Sequence, residues 1–342
     1  MKSNFKKKKN QNKKWVSKLA EKWIVGVDLG GTTTKLAFIN MIGEIIEKWE
    51  IPTDNSDEGQ NITKNIARAI DEKLVELGHT KAELIGLGMG APGPVNYETG
   101  EMINVVNLGW KDHYPLKSSL EEATGLTAVI ENDANCAALG EMWKGAGEGA
   151  ENLVCVTLGT GVGGGVIAGG KIVQGVNGAG GEIGHITSIP IGGARCNCGK
   201  TGCLETVASA TGIVRLATEK IKKGQVNGEL AEKFAVSGII TAKDVFDSAR
   251  NGDSIANNVL EEVSFHLGLA LANIANTLNP QKIVLGGGVS KAGDILLYTV
   301  KEQFAKYAFT AVRESTELAV ATLGNDAGVI GSAWIIKNKL CL

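Results

Sequence analysis

Residues 153–173, LVCVTLGTGVGGGVIAGGKIV, hold the pattern on which the fold turns. A Val-rich run, Leu153–Leu158, meets a glycine-rich turn. A second run, Gly165–Ala168, reaches Gly169-Gly170, and Lys171–Val173 follows. Short runs rich in Val and Ile, broken by Gly, predict antiparallel hairpins. The same pattern stands earlier in the chain, where Trp23–Leu29, Thr34–Ile39 and Glu44–Ile51 are separated by Gly30-Gly31 and Met41-Ile42-Gly43. A hairpin, glycine turn and helix arrangement that occurs twice predicts two related α/β domains facing each other across a cleft. The expected division is a tail over 1–22, an N-terminal α/β domain over 23–130 and a C-terminal α/β domain over 131–325. The final helix, 326–340, is free to pack on the N-terminal domain.

Between the hairpins, Ile62, Ile66, Ile70, Leu74 and Leu77 recur at helical spacing, with Gly78 at the end. Leu84–Met89 reads as a buried strand running into the rigid turn Gly90-Ala91-Pro92-Gly93-Pro94, a candidate hinge. Thr127–Ile130 reads as a strand ending at Asn132-Asp133, where a helix begins. Further on, Ile255, Val259, Val263, Leu267, Leu271, Ile274 and Leu278 predict one long helix from about Asp253, which Pro280 stops. Lys282–Leu285 is then a buried strand ending in Gly286-Gly287-Gly288, and Leu318–Leu323 a last strand before the helix from Asp326.

With 43% hydrophobic and 21% charged residues, the composition is that of a soluble globular enzyme. No apolar run approaches a membrane span, and no signal-peptide core follows the basic start, so a cytoplasmic enzyme without a membrane partner is expected. Nine of the 35 basic residues and one of the 37 acidic ones fall within residues 1–22. The tail is therefore basic and reads as disordered, while the body is acidic, which argues against nucleic acid as the main partner.

Asp28-Leu29-Gly30-Gly31-Thr32-Thr33-Thr34-Lys35 joins two strands. Its glycines let backbone N–H groups approach an anion, its Thr hydroxyls add donors, and Asp28 is placed to hold Mg2+ through water. An ordinary hairpin turn is the alternative. Gly159 to Gly164 forms a formal G-x-G-x-x-G, but a dinucleotide fingerprint needs a helix next and a hairpin follows here, so that reading is rejected. Ala194–Thr201 resembles a relaxed Walker A and is rejected too, because no buried strand leads into it. Cys196, Cys198 and Cys203 belong to a better pattern: with His185 they make Cys3His, a set suited to structural Zn2+, against the alternative of free thiols in a loop. Cys136, Cys155 and Cys341 read as small apolar residues.

Three groups of residues together resemble the ROK family, which groups bacterial sugar kinases, transcriptional repressors and open reading frames. They are Asp28-Leu29-Gly30-Gly31-Thr32, the run Gly180-Gly181-Glu182-Ile183-Gly184-His185, and Cys-x-Cys-Gly-x2-Gly-Cys-x-Glu over 196–205. Glu131-Asn132-Asp133-Ala134-Asn135, Leu139-Gly140-Glu141 and Thr206-Val207-Ala208-Ser209 are most similar to the family's glucokinases.

The resemblance covers about residues 23–340. It implies an actin-like, ribonuclease-H-like two-domain fold with ATP and sugar in the inter-domain cleft. Asp28, Gly30, Gly31, Thr32, Thr33 and Lys35, with Gly159, Thr160, Gly161, Gly163 and Gly164, would hold the phosphates. Gly287 and Gly288 would lie against the adenosine. Asp133 corresponds to the catalytic base, and Asn107, Asn132, Glu182, His185 and Glu205 to sugar contacts. His185 would thus serve twice, one ring nitrogen on zinc and the other toward a sugar hydroxyl.

The implied reaction is glycolytic: phosphorylation of the 6-hydroxyl of glucose by ATP with Mg2+, in a homodimer. Alternatives are kinases of mannose, fructose, allose or N-acetylmannosamine, polyphosphate as donor, and a sugar-responsive repressor. The last is disfavoured because no winged-helix domain precedes Trp23.

Overall fold

The computed structural model describes residues 22–103, 108–224 and 227–340. The expectations for the basic tail and for Cys341 lie outside these residues. Contacts divide the chain into two units. One holds the residues up to Lys144, Gln174–Ala179 and those from Asn325 on; the other holds Gly145–Val173 and Gly180–Gly324.

The first unit is built on five strands: β1 (Trp23–Leu29), β2 (Thr33–Asn40), β3 (Ile45–Pro52), β4 (Leu84–Ala91) and β7 (Ala128–Asn132), with the two-stranded β5 (Val95–Asn96) and β6 (Glu101–Met102) apart. Their order is β3-β2-β1-β4-β7. The first three pair antiparallel, and β1, β4 and β7 run parallel. Alternating exposure along β3 fits its place at the edge, whereas β1 and β4 are buried almost throughout. Ile62, Ile66, Ile70 and Leu74 of the helix Ile62–Leu77 pack with Val25, Val27, Phe38 and Leu87 into one core. Gly78 ends that helix in the left-handed conformation, φ 72°.

The second unit repeats the design. Strands β8 (Leu153–Leu158), β9 (Val162–Ala168), β10 (Lys171–Ile172), β11 (Lys282–Gly286) and β12 (Glu317–Val320) take the order β10-β9-β8-β11-β12. Again three strands are antiparallel and two join them in parallel. Two sheets of identical topology are the duplicated ribonuclease-H-like layout of actin-like ATPases. The helix Ser254–Leu278 covers the second sheet, with Val259, Val263, Leu267 and Leu271 packed with Val154, Val156, Ile283 and Leu285. Asp253 caps its start through the Ala256 N–H, 2.9 Å away, and Asn279 with φ 46° ends it just before Pro280.

Three expectations need correction. Strand β9 begins at Val162 rather than Gly165, because Gly163 and Gly164 join the ladder opposite Thr157 and Val156. A side chain at Gly164 would lie 2.5 Å from the Gly181 carbonyl oxygen, so glycine here serves close approach within a strand. Strand β12 ends at Val320 rather than Leu323: the Ala321 N–H donates to the Leu285 carbonyl at 2.9 Å, after which Gly287 turns its neighbour away with φ 84°. The boundary expected at 130/131 falls at 144/145.

Glycine packing explains the displaced boundary. The helix Asp133–Lys144 lies against the helix Ala327–Lys339 with backbones nearly touching: a Cβ on Gly331 would stand 1.6 Å from the Cys136 carbonyl oxygen, and one on Gly140 2.1 Å from that of Ala327. On the sheet side, a Cβ on Gly88 would be 1.7 Å from the Ser332 oxygen. Backbone atoms on both sides leave nothing flexible to yield. Gly331→Ala is therefore expected to destabilise the protein by about 3 kcal/mol. An unchanged urea midpoint and slope would contradict this packing. Among the described residues, no helix is long and apolar enough to cross a membrane.

Candidate active site

At the C-terminal end of β1, Asp28 stands opposite Lys35 of β2, with its Oδ2 3.1 Å from the Lys35 Nζ. The intervening turn closes with the Gly30 N–H donating to the Thr33 carbonyl at 3.0 Å. Two residues that sequence reasoning passed over brace it from behind. The Thr53 hydroxyl donates to the Gly30 carbonyl at 2.7 Å, and the Asn55 amide donates to that of Gly31 at 2.7 Å. Among the described residues, no heavy atom beyond the adjacent residues lies within 4 Å of a Cβ built on Gly31, so the turn is open on that side. Behind Asp28, a Cβ on Gly328 would come within 2.7 Å of the carboxyl carbon, so the last helix fixes the carboxylate's position.

The corresponding turn in the second unit follows β8. The Gly159 N–H donates to the Gly161 carbonyl at 2.9 Å. The Ala210 N–H reaches the Gly159 carbonyl at 2.8 Å, and the Thr211 hydroxyl donates to that of Thr160, which ties the turn to the start of the helix Ala210–Lys222. Gly287 presses on this place from β11: its Cβ would lie 2.5 Å from the Leu158 carbonyl oxygen. The glycines of 159–164 and of 287–288 thus share the C-terminal edge of one sheet, where open α/β sheets bind ligands.

Glu205 connects this turn to the cysteine cluster. Its Oε2 accepts the Val162 N–H at 3.0 Å, while Oε1 lies 3.6 Å from the Cys196 Sγ. A Cβ on Gly161 would stand 2.4 Å from that same Oε2. Gly161→Ala is expected to displace the carboxylate and lower kcat/KM by about tenfold while the protein stays folded. Parent-like kinetics would show that the Glu205 position is immaterial.

His185, Cys196, Cys198 and Cys203 converge, their ligand atoms all within 4.8 Å of one another. Cys196 Sγ is 3.6 Å from His185 Nδ1, and Cys198 Sγ is 3.6 Å from Cys203 Sγ. A tetrahedral ion with metal–sulfur bonds of about 2.3 Å places its ligands about 3.5–3.8 Å apart, so donor type and spacing both fit a zinc-like cation. Burial pushes the Cys196 thiol up to about 12 and raises Cys203 as well, whereas the Lys200 backbone N–H lowers Cys198. Buried thiols of this kind form thiolates when a cation draws them down.

The ligand loop is braced throughout. The Ser188 and Ile189 N–H groups reach the Gly202 carbonyl, the Lys200 ammonium donates to the His185 carbonyl at 2.8 Å, and Ser188 Oγ meets His266 Nδ1 at 2.8 Å. The other His185 nitrogen, Nε2, faces Glu182 Oε2 at 3.9 Å.

In the first unit, β7 delivers Asn132 and Asp133 to the head of a helix. Asn132 Oδ1 accepts the N–H groups of Ala134 and Asn135, at 2.9 and 3.2 Å, so the capping falls mainly to Asn132. Asp133 Oδ1 accepts the adjacent Ala134 N–H at 2.8 Å. The Asn132 amide donates to the Gly93 carbonyl at 3.2 Å, which holds the Pro92–Pro94 turn against this strand end. In register, Asp28 pairs with Gly90 and Ala91 with Asn132, so both carboxylate-bearing strands end at the same edge.

Asp28, Gly30–Thr33, Lys35, Asn132 and Asp133 thus belong to one unit, and Gly159–Gly164, Glu182, His185, Cys196, Cys198, Cys203, Glu205 and Gly287–Gly288 to the other. Asn107 lies outside the described residues. Thr53, Asn55, Thr211 and His266 escaped sequence reasoning because each acts across a fold contact and belongs to no local motif.

Comparison with known proteins agrees with this layout. The family profile described as ROK family matches residues 24–339, and the chain belongs to that family. A glucokinase from Halalkalibacterium halodurans is 56% identical over 94% of this chain and 97% of its own length. A glucokinase from Thermotoga maritima is 38% identical over 93% of this chain and 98% of its own. Among solved structures, a ROK family glucokinase from Streptomyces griseus, in complex with glucose and AMPPNP, superposes with a TM-score of 0.74. It is 34% identical and covers 92% of this chain and 98% of its own.

Proposed function

We propose that this chain phosphorylates the 6-hydroxyl of glucose with ATP. The observation that carries the reading is the position of Glu205, with one oxygen on the glycine turn and the other beside the Cys3His cluster. A carboxylate offers about four lone-pair sites, and these contacts leave capacity for sugar hydroxyls. The family resemblance adds Glu182, His185, Asn132 and Asn107 as further groups able to accept or donate hydroxyl hydrogen bonds. The 56% identity to a glucokinase over nearly the whole chain supports glucose as the sugar.

The sugar O6 attacks the γ-phosphorus, the bond to the β-phosphate bridging oxygen breaks, and ADP leaves with that electron pair. Asp133 accepts the O6 proton and aligns the oxygen for attack. An Asp is a weak base for an alcohol, so alignment contributes as much as proton transfer. The backbone N–H groups of both glycine turns hold the phosphates, with Gly287 and Gly288 beside the adenosine. Asp28 would hold Mg2+ through water, and the ion would offset negative charge on the phosphates. His185, Cys196, Cys198 and Cys203 would hold Zn2+, which would fix the His185 tautomer and ring direction and leave Nε2 for the sugar.

A coupled ADP-release assay across glucose, mannose, fructose, allose and N-acetylmannosamine, with ATP and with polyphosphate, tests the reading. The highest kcat/KM is expected for glucose with ATP. A higher value for another sugar or donor would reassign the substrate. Assembly as a homodimer, the form the family implies, is tested by light scattering.

A further inference from the structure

Two residues before Asp133 stands a carboxylate with no exposure to speak of. Glu131 is 4% exposed, on β7. Its Oε1 accepts the Asn132 N–H at 2.8 Å and the Asn135 side-chain amide at 2.9 Å. Its Oε2 accepts the Gln174 side-chain amide at 2.7 Å. Burying a carboxylate costs several kcal/mol unless donors replace its water, and here amides do so. Asn135, 2% exposed, has to turn its NH2 toward a group that only accepts, and its Oδ1 is left buried without a partner among the described residues. Apolar side chains at 131, 135 and 174 together would pack without either burden, so stability alone does not account for this network.

The place of Gln174 in the chain supplies the account. Val173, just before it, donates its N–H to the Val166 carbonyl at 2.8 Å and so belongs to the β9–β10 hairpin that carries the glycine turn. Gln174–Ala179 then packs in the first unit, where a Cβ on Gly178 would lie 2.4 Å from the Val95 carbonyl oxygen. The chain returns at Gly180 and soon reaches Glu182. One short excursion thus runs from the phosphate hairpin to the sugar-pairing segment, and its first side chain clasps the carboxylate that holds the Asn132 backbone.

We propose that Gln174, acting through Glu131, is a positioning residue for Asn132 and Asp133. It sets the strand end that bears the base in register with the excursion leading to Glu182. This rests on the kinase reading above. A shift of about 1 Å at a reacting group is enough to cost about 10²-fold in rate.

The test measures kcat, both KM values and thermal midpoint for the full chain with Gln174→Met, with Gln174→Glu, and with Gln174→Glu combined with Glu131→Gln, which exchanges the pair. Gln174→Met removes the donor and is expected to lower kcat about tenfold, with KM for ATP and glucose within about threefold. Gln174→Glu sets two carboxylates face to face and is expected to lower kcat about 10²-fold. The exchanged pair keeps all three hydrogen bonds. The amide oxygen placed at position 131 still accepts from Asn132 and Asn135, while the NH2 beside it donates to the carboxylate placed at position 174. This double variant is expected to regain most of the kcat lost in Gln174→Glu.

A kcat within about twofold of the parent in Gln174→Met, a loss that follows the thermal midpoint, or no recovery in the exchanged pair overturns the proposal. Should Gln174→Glu fail to fold, Gln174→Met decides alone. A parent without kinase activity sinks the functional reading instead, which separates the two failures.

Discussion

Asp133→Asn is expected to lower kcat by about 10³-fold, with KM for glucose within a few-fold of the parent. The substitution is close to isosteric, and the fold has little reason to object. Asn132 carries the main capping bonds at the head of the helix, and the bond from the Ala134 N–H to Asp133 Oδ1 is equally available to an amide oxygen. What the variant loses is the ability to take the O6 proton and the negative charge that orients the hydroxyl. A group that acts only in the transition state lowers kcat and kcat/KM together, whereas a binding group raises KM. Coupled ADP release with saturating ATP reads both constants, and a kcat within about threefold of the parent would remove Asp133 from the chemistry.

Cys203→Ser is expected to strip the metal and lower kcat/KM for glucose by about 10²-fold, mostly through KM. Cys203 is the cleaner of the cluster's two buried cysteines to remove. It is fully buried beside Cys198, whereas Cys196 also lies 3.6 Å from Glu205 and its loss would disturb two things at once. Without the cation, His185 Nδ1 keeps a weak contact with the Cys196 sulfur, and the ring that aims Nε2 toward Glu182 loses its anchor. Metal content by mass spectrometry should fall together with sugar affinity, and prolonged chelation of the parent should reproduce the kinetics. If the metal is lost and KM for glucose stays put, the cluster serves the loop's stability and has no part in sugar binding.

Much of the fold was legible because the signals are local. Leu153–Leu158 and Trp23–Leu29 each end in glycine turns and pair with the next run, which is enough to predict hairpins. Gly78 and Pro280 mark helix ends through backbone restrictions that belong to those residues alone. The Cys3His set was legible for a similar reason: the cysteines lie close in sequence, and thiol and imidazole are distinctive ligands. Asn132 and Asp133 stood out as the point where a strand gives way to a helix. The extent of β9 was not legible, since Gly163–Gly165 looks like turn until Gly181 is seen lying against it. The boundary at 144/145 was hidden too, because it depends on Gly140 and Gly331, which meet only when the last helix returns.

Sequence by itself determined the two-fold repeat of hairpin and glycine turn, and it set the Cys3His cluster and the residues proposed to bear the chemistry in local motifs. Periodicity, turn geometry and ligand type act within a few residues and so can be read in a line. Only the tertiary structure decided that Glu205 spans the second glycine turn and the cysteines, that Thr53 and Asn55 brace the first turn, and that Gln174 reaches Glu131. These contacts join residues far apart in the chain. A buried carboxylate or a glycine carries no mark of its partner until packing removes the water between them.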